Sequence, residues 1–132
     1  VTPNGREVWV GSNTAGTISI VDVASWKVVA TLDQGERPYR VTISPDGRTA
    51  AAALTISARI RLIDVATRKE VGMLEAPTNA QPVGMTWSRD GKRLYVACQG
   101  INAIAEFDVE ARKLLRTIAV GDGPDGVAIA ER

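Results

Sequence analysis

Three observations predict an all-β fold, a β-propeller: landmark residues recur with one period, turn residues cut each period into four short strand-like segments, and no segment carries helical periodicity. Gly5, Gly47 and Gly91 stand 42 and 44 positions apart, and so do Asp22, Asp64 and Asp108. Pro38, Pro82 and Pro124 keep the same beat at 44 and 42. A four-stranded antiparallel unit of about 40 to 45 residues in tandem is the signature of a propeller blade, whereas a β-solenoid needs a shorter period. The chain therefore reads as about three four-stranded antiparallel blades, with repeat units at approximately 2–43, 44–87 and 88–132.

Within each unit the first strand follows the proline: Tyr39 to Ser44, Val83 to Ser88, and Asp125 to Ala130. A tight hairpin turn comes next, Pro45-Asp46-Gly47 in the second unit, with Thr2-Pro3-Asn4-Gly5 and Ser88-Arg89-Asp90-Gly91 as its counterparts. Glycine supplies the positive φ of such a turn, and Asp or Asn tolerates the neighbouring geometry. The second strand is Glu7 to Gly11, Thr49 to Ala53, or Arg93 to Ala97; the third is Thr17 to Val21, Arg59 to Ile63, or Ala103 to Phe107. Each third strand ends at the recurring aspartate, expected to accept backbone N–H groups in its own turn. Lys27, Lys69 and Lys113, five positions later, are placed to add a weak, solvent-screened ion pair. Fourth strands begin VVATL, EVGML and LLRTI.

The alanine run Ala50 to Ala53 leaves space to fill between stacked blades, since each methyl-sized void costs about 1 kcal/mol. Arg59 and Arg61 on the next strand are expected to cover it with their aliphatic stems while their guanidinium groups reach polar partners. An anion-binding arginine pair is the rival reading.

At 132 residues, 45% hydrophobic and 23% charged, the chain has the composition of a folded globular domain. Sixteen basic against 15 acidic residues leave a net charge of +1, so no field points to nucleic acid, and none is expected as a partner. No apolar run approaches the length of a membrane span, and the first residues lack the pattern of a signal peptide. The chain contains no histidine, which removes the commonest general base and the usual metal and haem ligand together. Its one cysteine, Cys98, sits in an apolar strand pattern. No catalytic residue, metal ligand or cofactor is assigned.

The best copies of the repeat are SPDGR at Ser44 to Arg48, LYVA at Leu94 to Ala97, SIVDVASWKVVATL at Ser19 to Leu32, and RLIDVATRKEV at Arg61 to Val71. These resemble the YVTN-type β-propeller repeats over essentially the whole chain. Departures are local: Trp9 replaces the tyrosine, the alanine run stands in the second unit, and Arg89 replaces the turn proline. The resemblance implies a binding or scaffold propeller of bacterial or archaeal origin, periplasmic or extracellular. The alternative is the propeller portion of a cofactor-dependent enzyme, resembling haem d1, quinoprotein or lactonase-like propellers.

Both ends fall inside a blade, so the chain is expected to be an open segment of a ring of about six to eight blades. Its missing blades would belong to the same chain or to other copies, with the last segment, PDGVAIA, pairing with the Glu7 to Gly11 strand on closure. Loops at one end of a propeller surround its channel and form the default binding surface. There the chain carries Glu36, Arg37, Tyr39 and Arg40, then Asn79 and Gln81, then Asp122 and Asp125 from the inter-blade loops. Asn13, Thr55, Gln99 and Asn102 join them from the second-to-third-strand loops. These positions vary between units while the landmarks do not, as a site grafted on a scaffold would. A protein or small-molecule ligand is the expected partner, with Tyr39 and Arg40 its best contacts.

Overall fold

A computed structural model describes residues 1–130. The last two residues of the third expected unit, 131 and 132, lie outside the described residues. Eleven strands run in order: β1 (Glu7–Ser12), β2 (Thr17–Asp22), β3 (Lys27–Asp33), β4 (Pro38–Ile43), β5 (Thr49–Leu54), β6 (Arg59–Asp64), β7 (Glu70–Glu75), β8 (Pro82–Trp87), β9 (Arg93–Cys98), β10 (Ala103–Asp108) and β11 (Lys113–Ala119). They form three antiparallel meanders, β1-β2-β3, β4-β5-β6-β7 and β8-β9-β10-β11. A single 3₁₀ turn, Gln99–Ile101, separates β9 from β10, a small departure from the helix-free expectation.

The expected strand Asp125 to Ala130 is not formed, nor is its pairing with β1, so the first sheet has three strands among the described residues. A strand exists only where a neighbouring edge satisfies its N–H and C=O groups. The segment's first residues, Asp125 and Gly126, lie instead beside Gly84 of β8, with the Asp125 carbonyl so close that a Cβ on Gly84 would stand 2.0 Å from it.

The hairpin turns explain themselves in detail. Ser44 Oγ donates to Asp46 at 2.6 Å, Arg48 N–H donates to the same carboxylate at 3.0 Å, and Thr49 N–H returns to Ser44 Oγ at 2.9 Å. Ser88 with Asp90, and Thr2 with Asn4, build the same set. The hydroxyl and the Asp or Asn hold the turn, so Arg89 can stand where the repeat has proline without changing it.

The recurring aspartates behave as expected in one respect and not in another. Asp22 accepts from Ser25 N–H and Oγ, Asp64 from Thr67 N–H and Oγ1, and Asp108 from Ala111 N–H. Among the described residues the three lysines make no ion pair with them: all three are exposed, the carboxylates already accept from their turns, and Asp108 pairs instead with Arg93 at 2.6 Å. Hydrogen bonds to the ionised form hold Asp22, Asp46, Asp64, Asp90 and Asp108 below the ordinary carboxylate value of 3.8.

Two apolar clusters glue the sheets together. Trp9, Ile18 and Ile20 of the first sheet meet Ala50, Ala52 and Ile63 of the second. Ala51, Ile60 and Leu62 meet Trp87, Leu94, Val96 and Phe107 of the third. Ala50 to Ala53 are fully buried, and the volume they lack is supplied by Trp9 on one side and Trp87 on the other. The expectation for the arginines thus needs correcting. Arg59 is exposed and pairs with Glu75 at 3.0 Å, outside the core. Arg61 does reach polar partners, donating to Gln34 O at 2.8 Å and Gln34 Oε1 at 3.1 Å across the sheet interface, with Glu70 at ion-pair distance, 3.0 Å. With those partners satisfied by protein groups, the pair does not present an anion site.

Two outcomes follow from this packing. Ala51→Leu overfills a closed interface and lowers unfolding free energy by about 1 to 3 kcal/mol in urea titration, whereas an unchanged midpoint would mean that the interface has room. A lowered folded-state pKa stabilises fully above the unfolded value and loses its effect as pH falls through the folded one. The stability gap between the native chain and Asp64→Ala therefore shrinks as pH is taken below about 4, measured by melting temperature at several pH values.

Candidate ligand-binding site

The inner strands β4 and β8 each carry a bulge at the same place. Pro38 faces Leu54 and Val41 faces Ala52, so Tyr39 and Arg40 are squeezed into the span of one partner residue. In β8 the pairs Pro82–Cys98 and Met85–Val96 squeeze Val83 and Gly84 likewise. A bulge leaves residues outside the ladder and re-aims their side chains. The sequence thereby delivers an aromatic and a cation at the inner edge of the second sheet, and at the equivalent place in the third a buried valine and a glycine that leaves Arg40's counterpart position empty.

Arg40 uses that gap. Its guanidinium lies 5.7 Å from the Tyr39 ring centroid and donates to Asp125 at 2.8 Å, both side chains remaining about half exposed at 51% and 50%. Gly84 is the residue that sequence reasoning missed here. Its place two residues after Pro82, matching Arg40 after Pro38 and Gly126 after Pro124, was the available signal. Three of the expected site residues, Tyr39, Arg40 and Asp125, are therefore brought together.

The other expected residues fall into separate places. Asn102 donates to Asp122 at 2.9 Å and accepts from Gly123 N–H at 3.0 Å, tying one loop to the next. Gln81 and Asn79 flank a groove of about 550 Å³ together with Thr55 and Ser57. Thr55 donates to Pro82 O at 2.9 Å, and Glu36 accepts from Ser57 N–H and Oγ. Arg37 lines a shallower depression with Thr14 and Asp33. Asn13 and Gln99 make no side-chain hydrogen bond among the described residues, and they join neither cluster.

Elsewhere Glu106 takes the place that Ile20 and Leu62 hold in the other sheets. It is buried and accepts from Arg116 Nε at 2.5 Å and Tyr95 Oη at 3.2 Å. Burial, followed by the Glu106 charge, raises the Tyr95 phenol above its ordinary value. Cys98 is buried beside the 3₁₀ turn, and burial pushes its thiol up to about 11. Among the described residues no three acidic, cysteine or histidine side chains gather as a metal-binding group would require. No helix among them is long and apolar enough to cross a membrane.

Two measurements check this geometry. An R40A/D125A double-mutant cycle returns a coupling of about 0.2 to 1 kcal/mol at low salt that fades in 1 M salt; zero coupling at low salt would separate the two groups. Cys98 stays unreactive toward a thiol reagent at pH 8 until denaturant is added, because the thiolate is the nucleophile; rapid labelling of the native chain would contradict its burial.

The fold recurs in solved structures. Kuenenia stuttgartiensis hydrazine synthase is similar at a TM-score of 0.87 and 26% identity, over 96% of this chain and 36% of that one. The WD40 repeats of RRP9 give 0.80 at 16% identity, over 92% and 37%. U3-55K gives 0.81 at 15%, over 90% and 37%. The chain spans little more than a third of the length of these structures. No curated protein matches it. The two WD40 likenesses speak for the propeller fold alone. Residues 5–123 match the Choice-of-anchor I domain, and the chain belongs to that family.

Proposed function

We propose that this chain is part of a noncatalytic binding propeller, displayed at a surface or secreted, that grips a protein partner at the end where Tyr39, Arg40 and Asp125 meet. One observation carries the reading: the bulge in β4 projects an aromatic and a cation, half exposed, from an otherwise rigid inner strand. Rigid aromatic and arginine side chains are the usual anchors of protein interfaces. A family named for its choice of anchor supports a surface or secreted setting, periplasmic or extracellular, in keeping with the YVTN-like motifs.

A second reading, the propeller portion of a cofactor-dependent enzyme, is favoured by the 26% identity to hydrazine synthase. This chain supplies no imidazole, so any histidine ligand in such a protein would come from beyond these residues.

The test is site-specific crosslinking in the whole natural protein, with a photoreactive phenylalanine analogue at Tyr39 or, at the opposite end, at Lys69. The proposal expects a discrete protein adduct from position 39 that Arg40→Ala abolishes, and none from position 69. Equal adducts from both ends would contradict it.

A further inference from the structure

Asn79 and Gln81 hold positive φ, 61° and 49°, a region that side-chain-bearing residues rarely enter. The corresponding positions in the sister loops, counted back from the proline, include Gly35 at 69° and Gly123 at 62°. The other non-glycine residues with positive φ among the described residues sit at two recurring hairpin positions: Trp26, Arg68 and Arg112 before each outer strand, and Ala58 and Asn102, matching Gly16, before each third strand. Asn79 is the third residue of the Pro77–Ala80 turn, closed by Ala80 N–H to Pro77 O at 3.0 Å, whereas Gln81 has no turn to impose its geometry. Glycine would relieve the loop, and the sequence keeps two carboxamides in its place. Strain retained at an exposed loop points to use of the side chains.

The loop is braced from below. Gly100 N–H donates to Ala80 O at 3.0 Å and Gln99 N–H to Gln81 O at 3.2 Å. A Cβ on Gly100 would stand 2.1 Å from Asn79 O, so only glycine admits this contact. The two carboxamides are thus presented on a fixed platform over the 550 Å³ groove, exposed and with no side-chain hydrogen bond among the described residues.

The lining selects the ligand. Thr78 adds a hydroxyl, Thr55 and Ser57 add hydroxyl oxygens that can accept while donating to Pro82 O and Glu36, Ile56 is 70% exposed at the rim, and the charged neighbour Glu75 is already paired with Arg59. Among the described residues no lysine or arginine lines the groove, which disfavours nucleic acid and other polyanions. Its flanking strands β5 and β6 are paired on both sides, and the edge strand β7 reaches it only with its last residue, Glu75, which leaves too little free edge for a peptide added as a strand. A carboxamide donates and accepts at once and so matches a pair of vicinal hydroxyls, while an aliphatic rim suits the C–H face of a sugar ring. We infer that this groove binds a neutral oligosaccharide. The site shares an end with the Tyr39–Arg40 cluster but does not depend on it.

Isothermal titration of the whole natural protein with cellohexaose, mannohexaose and chitohexaose tests this. At least one hexaose binds with a dissociation constant below about 1 mM. Asn79→Gly and Gln81→Gly each weaken it by about tenfold or more. Both leave the melting temperature unchanged or higher, since glycine relaxes the loop. Asn79→Asp, which keeps the shape and removes the N–H donor, weakens it equally, and Arg40→Ala leaves it unchanged. No binding of any of the three sugars at 5 mM (about five times the expected limit), or binding that survives the glycine double variant, overturns the inference.

Discussion

Everything in this molecule rests on burial between sheets, because no sheet here can bury its own apolar faces. The middle sheet shows the constraint most sharply. Its second strand offers four consecutive alanines, all fully buried, between Trp9 of one neighbour and Trp87 of the other. Small residues facing large ones let the sheets interlock, and the arrangement fixes the spacing of the inner strands from which the candidate site projects.

The turns do a different kind of work. They add little burial, but their Ser–Asp and Thr–Asn pairs satisfy backbone groups at the end of the sheets remote from Tyr39 and Arg40. One end of the molecule is therefore built from repeated, self-satisfied turns. The opposite end carries irregular loops whose side chains differ from sheet to sheet. This division follows from local hydrogen bonding, and it explains why variation gathers at one end.

Much of the fold was legible from periodicity. Glycine, aspartate and proline recur because turn geometry and strand entry admit few alternatives, so the meanders and their turns could be read directly. Packing between sheets was less legible. The role assigned to Arg59 and Arg61 followed from sequence adjacency, whereas Trp9 and Trp87 fill the space from other sheets, a long-range relation that no local pattern records. The strand expected at Asp125 to Ala130 failed for a related reason, since pattern reveals strand propensity but not the edge that must pair with it. For the site, chemistry at the inner edge was readable in Tyr39 and Arg40, whereas the bulge and the gap at Gly84 that let Arg40 reach Asp125 needed the register.

Native-state hydrogen exchange on the whole natural chain tests most directly whether sheet-on-sheet burial centred on the alanine strand governs stability. This account predicts the slowest exchange at the amides of β5 and β6, with opening free energies close to global unfolding, and the fastest at the outer strands β3, β7 and β11. Outer strands as protected as β5, or three sheets exchanging independently of one another, would contradict it.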